Sequence, residues 1–173
     1  NCVVELCRAD AILCDFNSNP LLSNVTVRTI YEGHGIYAKN GSTPTIVDCT
    51  IENILSGAGI YASDSVGLSV ANTTISDCGN GIGVGRGIWL VNDETASIYN
   101  TTVTDCQGGI RCENSSPVID RCTISANKAP DCYEVGGAKF YADGNIAVWA
   151  EDSDNDATDV QDIDENGGGI LLM

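Results

Sequence analysis

A chain of 173 residues, 43% of them apolar, carries enough hydrophobic material for the core of one domain. Its 8 Lys and Arg stand against 24 Asp and Glu, and the resulting charge of −16 repels phosphate backbones and anionic membrane surfaces, which excludes nucleic acid as a partner. The longest apolar stretches, residues 147–150 and 170–173, fall far short of the roughly 20 residues of a membrane-spanning helix. Nine cysteines fit an oxidising compartment and predict an extracellular or cell-surface location, with the odd thiol left to face another chain. Residues 1–5 lack the charged-then-apolar pattern of a signal peptide, so any export signal is expected outside this sequence.

Short runs of alternating apolar residues follow one another along the chain. The first holds Cys2 and Val4, the second Ile12 and Cys14, and the third ends at Leu22 after Pro20. About 24 residues on, the series starts again with Val25/Val27, Ile36/Ala38 and Ile46, then Cys49/Ile51, Ile60/Ala62 and Val70. Thr73/Ile75, Ile88/Leu90 and Ile98 come next, followed by Thr101/Val103, Ile110/Cys112 and Ile119. Cys122/Ile124, Ala138/Phe140 and Val148 continue the pattern, and Thr158/Val160 with Ile170/Leu172 close it. Each run has period 2 and is bounded by Gly, Asn, Asp, Ser or Pro, which predicts short strands with the named residues pointing inward. Residues 43–62 match 19–38 without a gap, as do 87–112 and 59–84. Within 79–90 the pair Ile82/Val84 competes with Ile88/Leu90, and the length of the following turn favours the latter. The alternating glycines there lack the Gly-Lys-Ser/Thr of a phosphate loop and are read as turn residues at positive φ. Three strands per repeat with no helical period predict the rungs of a coil, about seven of them. Residues 1–173 form one domain in this reading, with a longer turn at about 125–137 and an acidic insertion at about 150–165.

The recurring Gly-Ile-Tyr-Ala at 35–38 and 59–62 and the Asp-Cys-Thr-Ile at 48–51 resemble the right-handed parallel β-helix of pectin-lyase-like proteins and of microbial surface proteins with Gly-Ile repeats. The resemblance implies an all-β, single-stranded right-handed parallel β-helix, and no capping helix is visible. Gly33-His34-Gly35 is similar to an element of polygalacturonase-type hydrolases, but the Asn-Thr-Asp, Asp-Asp and Arg-Ile-Lys elements of that family are missing. No catalytic residue is assigned. The upstream carboxylates Glu5, Asp10, Asp15 and Glu32 follow no pattern of a paired acid and base.

The residues between the inward pairs of the Ile36/Ala38 series run Leu13, Tyr37, Tyr61, Trp89, Arg111, Lys139 and Leu171, one rung or about 4.8 Å apart. Tyr37, Tyr61, Trp89 and Arg111 are the candidates for binding a polysaccharide. The competing reading is a stabilising ladder with Arg111 over Trp89. An outward threonine recurs at Thr26, Thr50, Thr74, Thr102 and Thr123, as β-propensity favours. Five glycosylation sequons begin at Asn24, Asn40, Asn72, Asn100 and Asn114. Asn24, Asn72 and Asn100 fall at a bend that tolerates left-handed backbone, whereas Asn40 and Asn114 lie in exposed turns and are the better acceptors. Cys14, Cys49, Cys112 and Cys122 occupy inward positions. Cys78 and Cys106 share one turn in neighbouring rungs, a separation that suits a disulfide, and Cys132 in the next turn competes for Cys106. Residues 151–165 hold eight acids, and the alternation of Asp152, Asp154 and Asp156, followed by Asp159, suits the oxygen ligands of Ca²⁺.

The sequence starts and stops in mid-repeat, which predicts either a fragment of a longer coil or copies stacking end to end into a homopolymer. The functional expectation is a secreted, non-catalytic structural module that builds filaments. The alternative is a polysaccharide-binding or polysaccharide-cleaving protein acting through the face around His34, Tyr37, Tyr61 and Trp89.

Overall fold

A computed structural model describes residues 1–80, 85–93 and 95–128 in full, together with the backbone of strands Cys132–Val135, Tyr141–Asp143, Ile146–Ala147, Val160–Gln161 and Leu171–Leu172. The chain winds as a coil of three parallel sheets. The first sheet takes Ile12–Cys14, Ile36–Lys39, Ile60–Ser63, Ile88–Val91, Ile110–Glu113 and Cys132–Val135. The second runs from Leu21–Ser23 to Tyr141–Asp143 in six strands, and the third from Cys2–Glu5 to Ile146–Ala147 in seven. No helix is long and apolar enough to cross a membrane among the described residues.

Register follows the repeat. In the first sheet Ile36 pairs with Ile60 and Ile60 with Ile88, so the inward residues form continuous columns. The choice of Ile88/Leu90 over Ile82/Val84 holds, with Leu90 opposite Ala62, and residues 82 and 84 lie outside the described set. Ile36, Ile60, Ile88 and Ile110 are fully buried, as are Val27, Ile51, Ile75, Val103 and Ile124 of the third sheet. Cys14, Cys49, Cys112 and Cys122 join this core as small apolar side chains.

Each coil turns its corners on left-handed residues. Of the seventeen non-glycine residues at positive φ among the described residues, twelve are Asn or Asp, the types that tolerate this region best. Their amides bond from one coil to the next: Asn72 Nδ2 donates to Asp48 (3.2 Å) and Asn100 to Asn72 (2.8 Å), while Asn40 donates to Asp15 (2.7 Å) and Asn92 to Asp64 (2.9 Å). The glycine-rich stretch has two different causes. Gly79 does sit at positive φ (76°), but Gly87 does not, and it is glycine because a Cβ there would collide with the buried Val103 side chain and crowd the Gly109 carbonyl.

The expectations depart from the structure after Ser125. Residues 132–135, read as part of a long turn, form a first-sheet strand in register with Ile110–Glu113. That strand takes the place expected for Ala138/Phe140 and keeps the short coil length of the preceding rung, from Ile88 to Ile110. In the second sheet Tyr141–Asp143 replaces the run expected to end at Val148, and in the third Ile146–Ala147 replaces Thr158/Val160. Val160–Gln161 and Leu171–Leu172 pair with each other as an antiparallel two-stranded ribbon. The expected seventh first-sheet rung at Ile170/Leu172 is therefore not a rung of that sheet.

Candidate binding face on the first sheet

Because first-sheet side chains alternate, the residue between each inward pair faces out, and in-register pairing stacks these residues in one column: Leu13, Tyr37, Tyr61, Trp89 and Arg111. The four candidates Tyr37, Tyr61, Trp89 and Arg111 are thus brought together on successive coils. Leu171 pairs in the antiparallel ribbon and does not extend the column, and Lys139 lies outside the described residues.

The rings occupy each other's faces. Tyr37 and Tyr61 lie 4.9 Å apart with planes at 31°, and Tyr61 and Trp89 lie 5.1 Å apart at 54°. A strand spacing of about 4.8 Å is too wide for flat stacking, so the rings tilt to keep contact. The Arg111 guanidinium stands 4.9 Å over Trp89, and Lys39 Nζ lies 5.3 Å from the Tyr37 centroid. Glu113 completes this end: it accepts from Trp89 Nε1 at 2.8 Å and pairs with Arg111 at 2.7 Å. Sequence reading passed over Glu113, although its position two residues beyond Arg111 puts it on the same face.

His34 enters the column from the preceding turn and stacks on Tyr61 at 4.5 Å and 29°. Its Nδ1 accepts the Ala58 N–H at 3.0 Å, and its own backbone N–H donates to Asp10 Oδ1 at 2.7 Å. Burial pushes the imidazole below the ordinary histidine value, against the opposing pull of Asp10. A histidine whose folded pKa is depressed contributes its full stability above about pH 6.5, and that stability is lost as acid protonates the unfolded chain first. His34→Asn keeps an acceptor for Ala58 and removes the titration. Thermal melts between pH 7.5 and 5 are expected to fall more steeply for the wild type than for the variant, and equal slopes would contradict this account.

The turn after the first sheet holds a residue that sequence reading missed. Asp93 is completely buried where neighbouring coils place Ser65 and Ser115. Burial raises its pKa, while backbone N–H groups of Thr95, Leu68 and Gly67 and the Ser65 hydroxyl pull it down. A raised carboxyl is best tolerated protonated, so its contribution falls as pH rises from about 4 through the folded value. Asp93→Ser is expected to stay within about 1 kcal/mol of wild type at pH 7 and to flatten that fall, which chemical denaturation at several pH values would show. The recess beside this turn, about 260 Å³, is lined by Ser65, Val66, Asn92, Thr95 and Asn114.

The remaining candidates are dispersed. Asp10 is engaged by His34, and Asp15 by Asn40 and Lys39, so neither faces the other as a free acid or base. Among the described residues no three His, Cys, Asp or Glu side chains gather as a metal site, and Asp152, Asp154, Asp156 and Asp159 lie outside the described residues. Asn24, Asn72 and Asn100 take left-handed φ at the bend before the third sheet, and Asn40 and Asn114 take it as well. Asn114 Nδ2 donates to Asn92 at 3.3 Å, so the amides of Asn40 and Asn114 are also tied into a ladder. The eight described cysteines are all free thiols.

The coil and its columns agree with the comparison by family: residues 10–173 match the family described as right-handed beta helix region. The chain belongs to the right-handed β-helix family. No curated protein and no solved structure matches it. Family membership therefore assigns the β-helix its architecture, and the chemistry of its faces has to be argued from the side chains themselves.

Proposed function

We propose that this β-helix is a non-catalytic structural module, displayed outside the cell, whose coils stack end to end into filaments. One observation carries the reading: outward polar groups are taken up by neighbours one coil away instead of converging on a cleft. Asp48, Asn72 and Asn100 form one such line and Asp64, Asn92 and Asn114 another. Such a surface favours a stiff rod. Every described coil meets the next through the same parallel register, so a coil from a second copy can continue the stack as one from the same chain does. Electron microscopy of the native protein is expected to show fibres with a regular axial repeat, and a strictly monodisperse monomer at high concentration would overturn the assembly.

A second reading rests on Tyr37, Tyr61 and Trp89, which remain partly exposed along one line. Their ring faces are engaged with each other, so a polysaccharide would be held through phenol hydroxyls and ring edges. Titration of Trp89 fluorescence with neutral and acidic polysaccharides tests it, with Tyr61→Ala as the control. An unchanged spectrum sinks it, and polysaccharide turnover abolished by His34→Ala would instead sink the non-catalytic reading.

A further inference from the structure

Strands Thr74–Cys78 and Thr102–Thr104 pair with Thr74 opposite Thr102 and Ser76 opposite Thr104. Two residues further on, the same register sets Cys78 opposite Cys106, and Gln107 N–H donates to the Cys78 carbonyl at 2.8 Å. Each cysteine follows an aspartate at positive φ, Asp77 (53°) and Asp105 (56°), so the same corner turns both thiols into the core. A coil separation of about 4.8 Å lies inside the roughly 4.4–6.8 Å Cα range of disulfides. Each thiol donates to the carbonyl two residues back, Cys78 to Ser76 and Cys106 to Thr104, both at 3.3 Å.

The pairing is selective. Cys14 and Cys112 share a column but are separated by Ala38, Ala62 and Leu90. Cys132 begins a strand opposite Ile110 and so sits in the first sheet, away from the corner where it was expected to compete for Cys106. The pair also stands at a distinctive place. A Cβ on Gly79 would lie 2.5 Å from the Gly85 Cα, so the backbone at 79, directly after Cys78, passes hard against the backbone at 85.

We propose that Cys78 and Cys106 form an inter-coil redox clamp, a dithiol that a low-molecular-weight disulfide converts to a protein disulfide beside the close approach of Gly79 and Gly85. Cys106 is the attacking thiol, because its neighbour Cys78 lowers its pKa while burial holds Cys78 well above the ordinary thiol value. The Cys106 thiolate attacks one sulfur of the oxidant, whose S–S bond breaks and releases one thiolate. Cys78 then passes its proton to that thiolate and attacks the Cys106 sulfur, expelling the second half as a thiolate, which takes up the proton that Cys106 lost on ionising. Two protein thiols are oxidised and one small disulfide is reduced to two thiols. Both sulfurs are buried, so exchange proceeds during folding or when the coil opens.

The test refolds the full chain in reduced and in oxidised glutathione. Non-reducing proteolysis with mass spectrometry is expected to find the 78 and 106 peptides joined and lighter by two hydrogens. The oxidised protein is expected to melt about 5–10 °C higher than the reduced one. Cys106→Ala should abolish that difference. Cys78→Val serves if the alanine variant does not fold, since the same corner of the two preceding coils already holds the β-branched Ile30 and Ile54. Thiols that remain free after oxidising refolding, or a cross-link between other cysteines, would overturn the proposal.

Discussion

Replacing Gly59 with alanine is expected to destabilise the protein by about 3 kcal/mol, near the upper end for an overpacked core. Gly59 directly precedes the inward Ile60 and has no positive φ to account for its identity. The cause is space. A Cβ at this position would stand 2.7 Å from Ile75 Cγ2, 2.8 Å from the Gly87 carbonyl oxygen and 3.0 Å from the Cys78 sulfur. Ile75 belongs to a fully buried column and the Gly87 carbonyl is fixed by its bond from Ile60 N–H at 3.0 Å, so neither can step aside. The same collision recurs at Gly35, where a Cβ would lie 2.5 Å from the Gly59 carbonyl oxygen. For a chain of this size the melting temperature should drop by roughly 6–12 °C. A Gly59→Ala protein that melts with the wild type would show that the coils can spread at this corner.

Ile60→Ala is expected to cost about 4 kcal/mol, read as the shift in denaturation midpoint at constant slope. Ile60 is fully buried between Ile36 and Ile88, each held one coil away by parallel main-chain bonding. Fixed coil spacing keeps those neighbours from closing the cavity, which places the site high in the range for large-to-small substitutions. Tyr61→Ala, one residue along but facing out, should cost only about 1–2 kcal/mol, because water fills the gap and the loss is confined to ring contacts with His34, Tyr37 and Trp89. Equal losses at positions 60 and 61 would contradict the assignment of inner and outer faces.

The alternation that separates Ile60 from Tyr61 is legible in the residues alone, and it carries the register correctly from Cys2 to Ser125. It fails where chemistry and geometry part company. The strand Cys132–Val135 has Glu134 opposite Cys112 in register, and Cys-Tyr-Glu lacks the apolar-x-apolar pattern of the other first-sheet strands, so the residues do not announce it. Ala138 and Phe140 imitate that pattern without taking the place. The aromatic column was readable because it needs only the period of the strand. The roles of His34 and Glu113 were not, because a ring lying on Tyr61 and a carboxylate spanning Trp89 and Arg111 depend on where turns aim side chains across coils. Asp93 was hidden for a related reason: nothing in Asn92-Asp93 tells a solvated turn acid from one enclosed by backbone N–H groups.

The corner ladders also give the rod a polarity. Asn40, Asn72, Asn92, Asn100 and Asn114 each donate toward the preceding coil, and the lines terminate on the carboxylates Asp15, Asp48 and Asp64. Donors in series polarise one another in a single sense, so the two directions along the axis are electrically distinct. One end of each line is a carboxylate and the other an amide, so the axis of the coil has a front and a back.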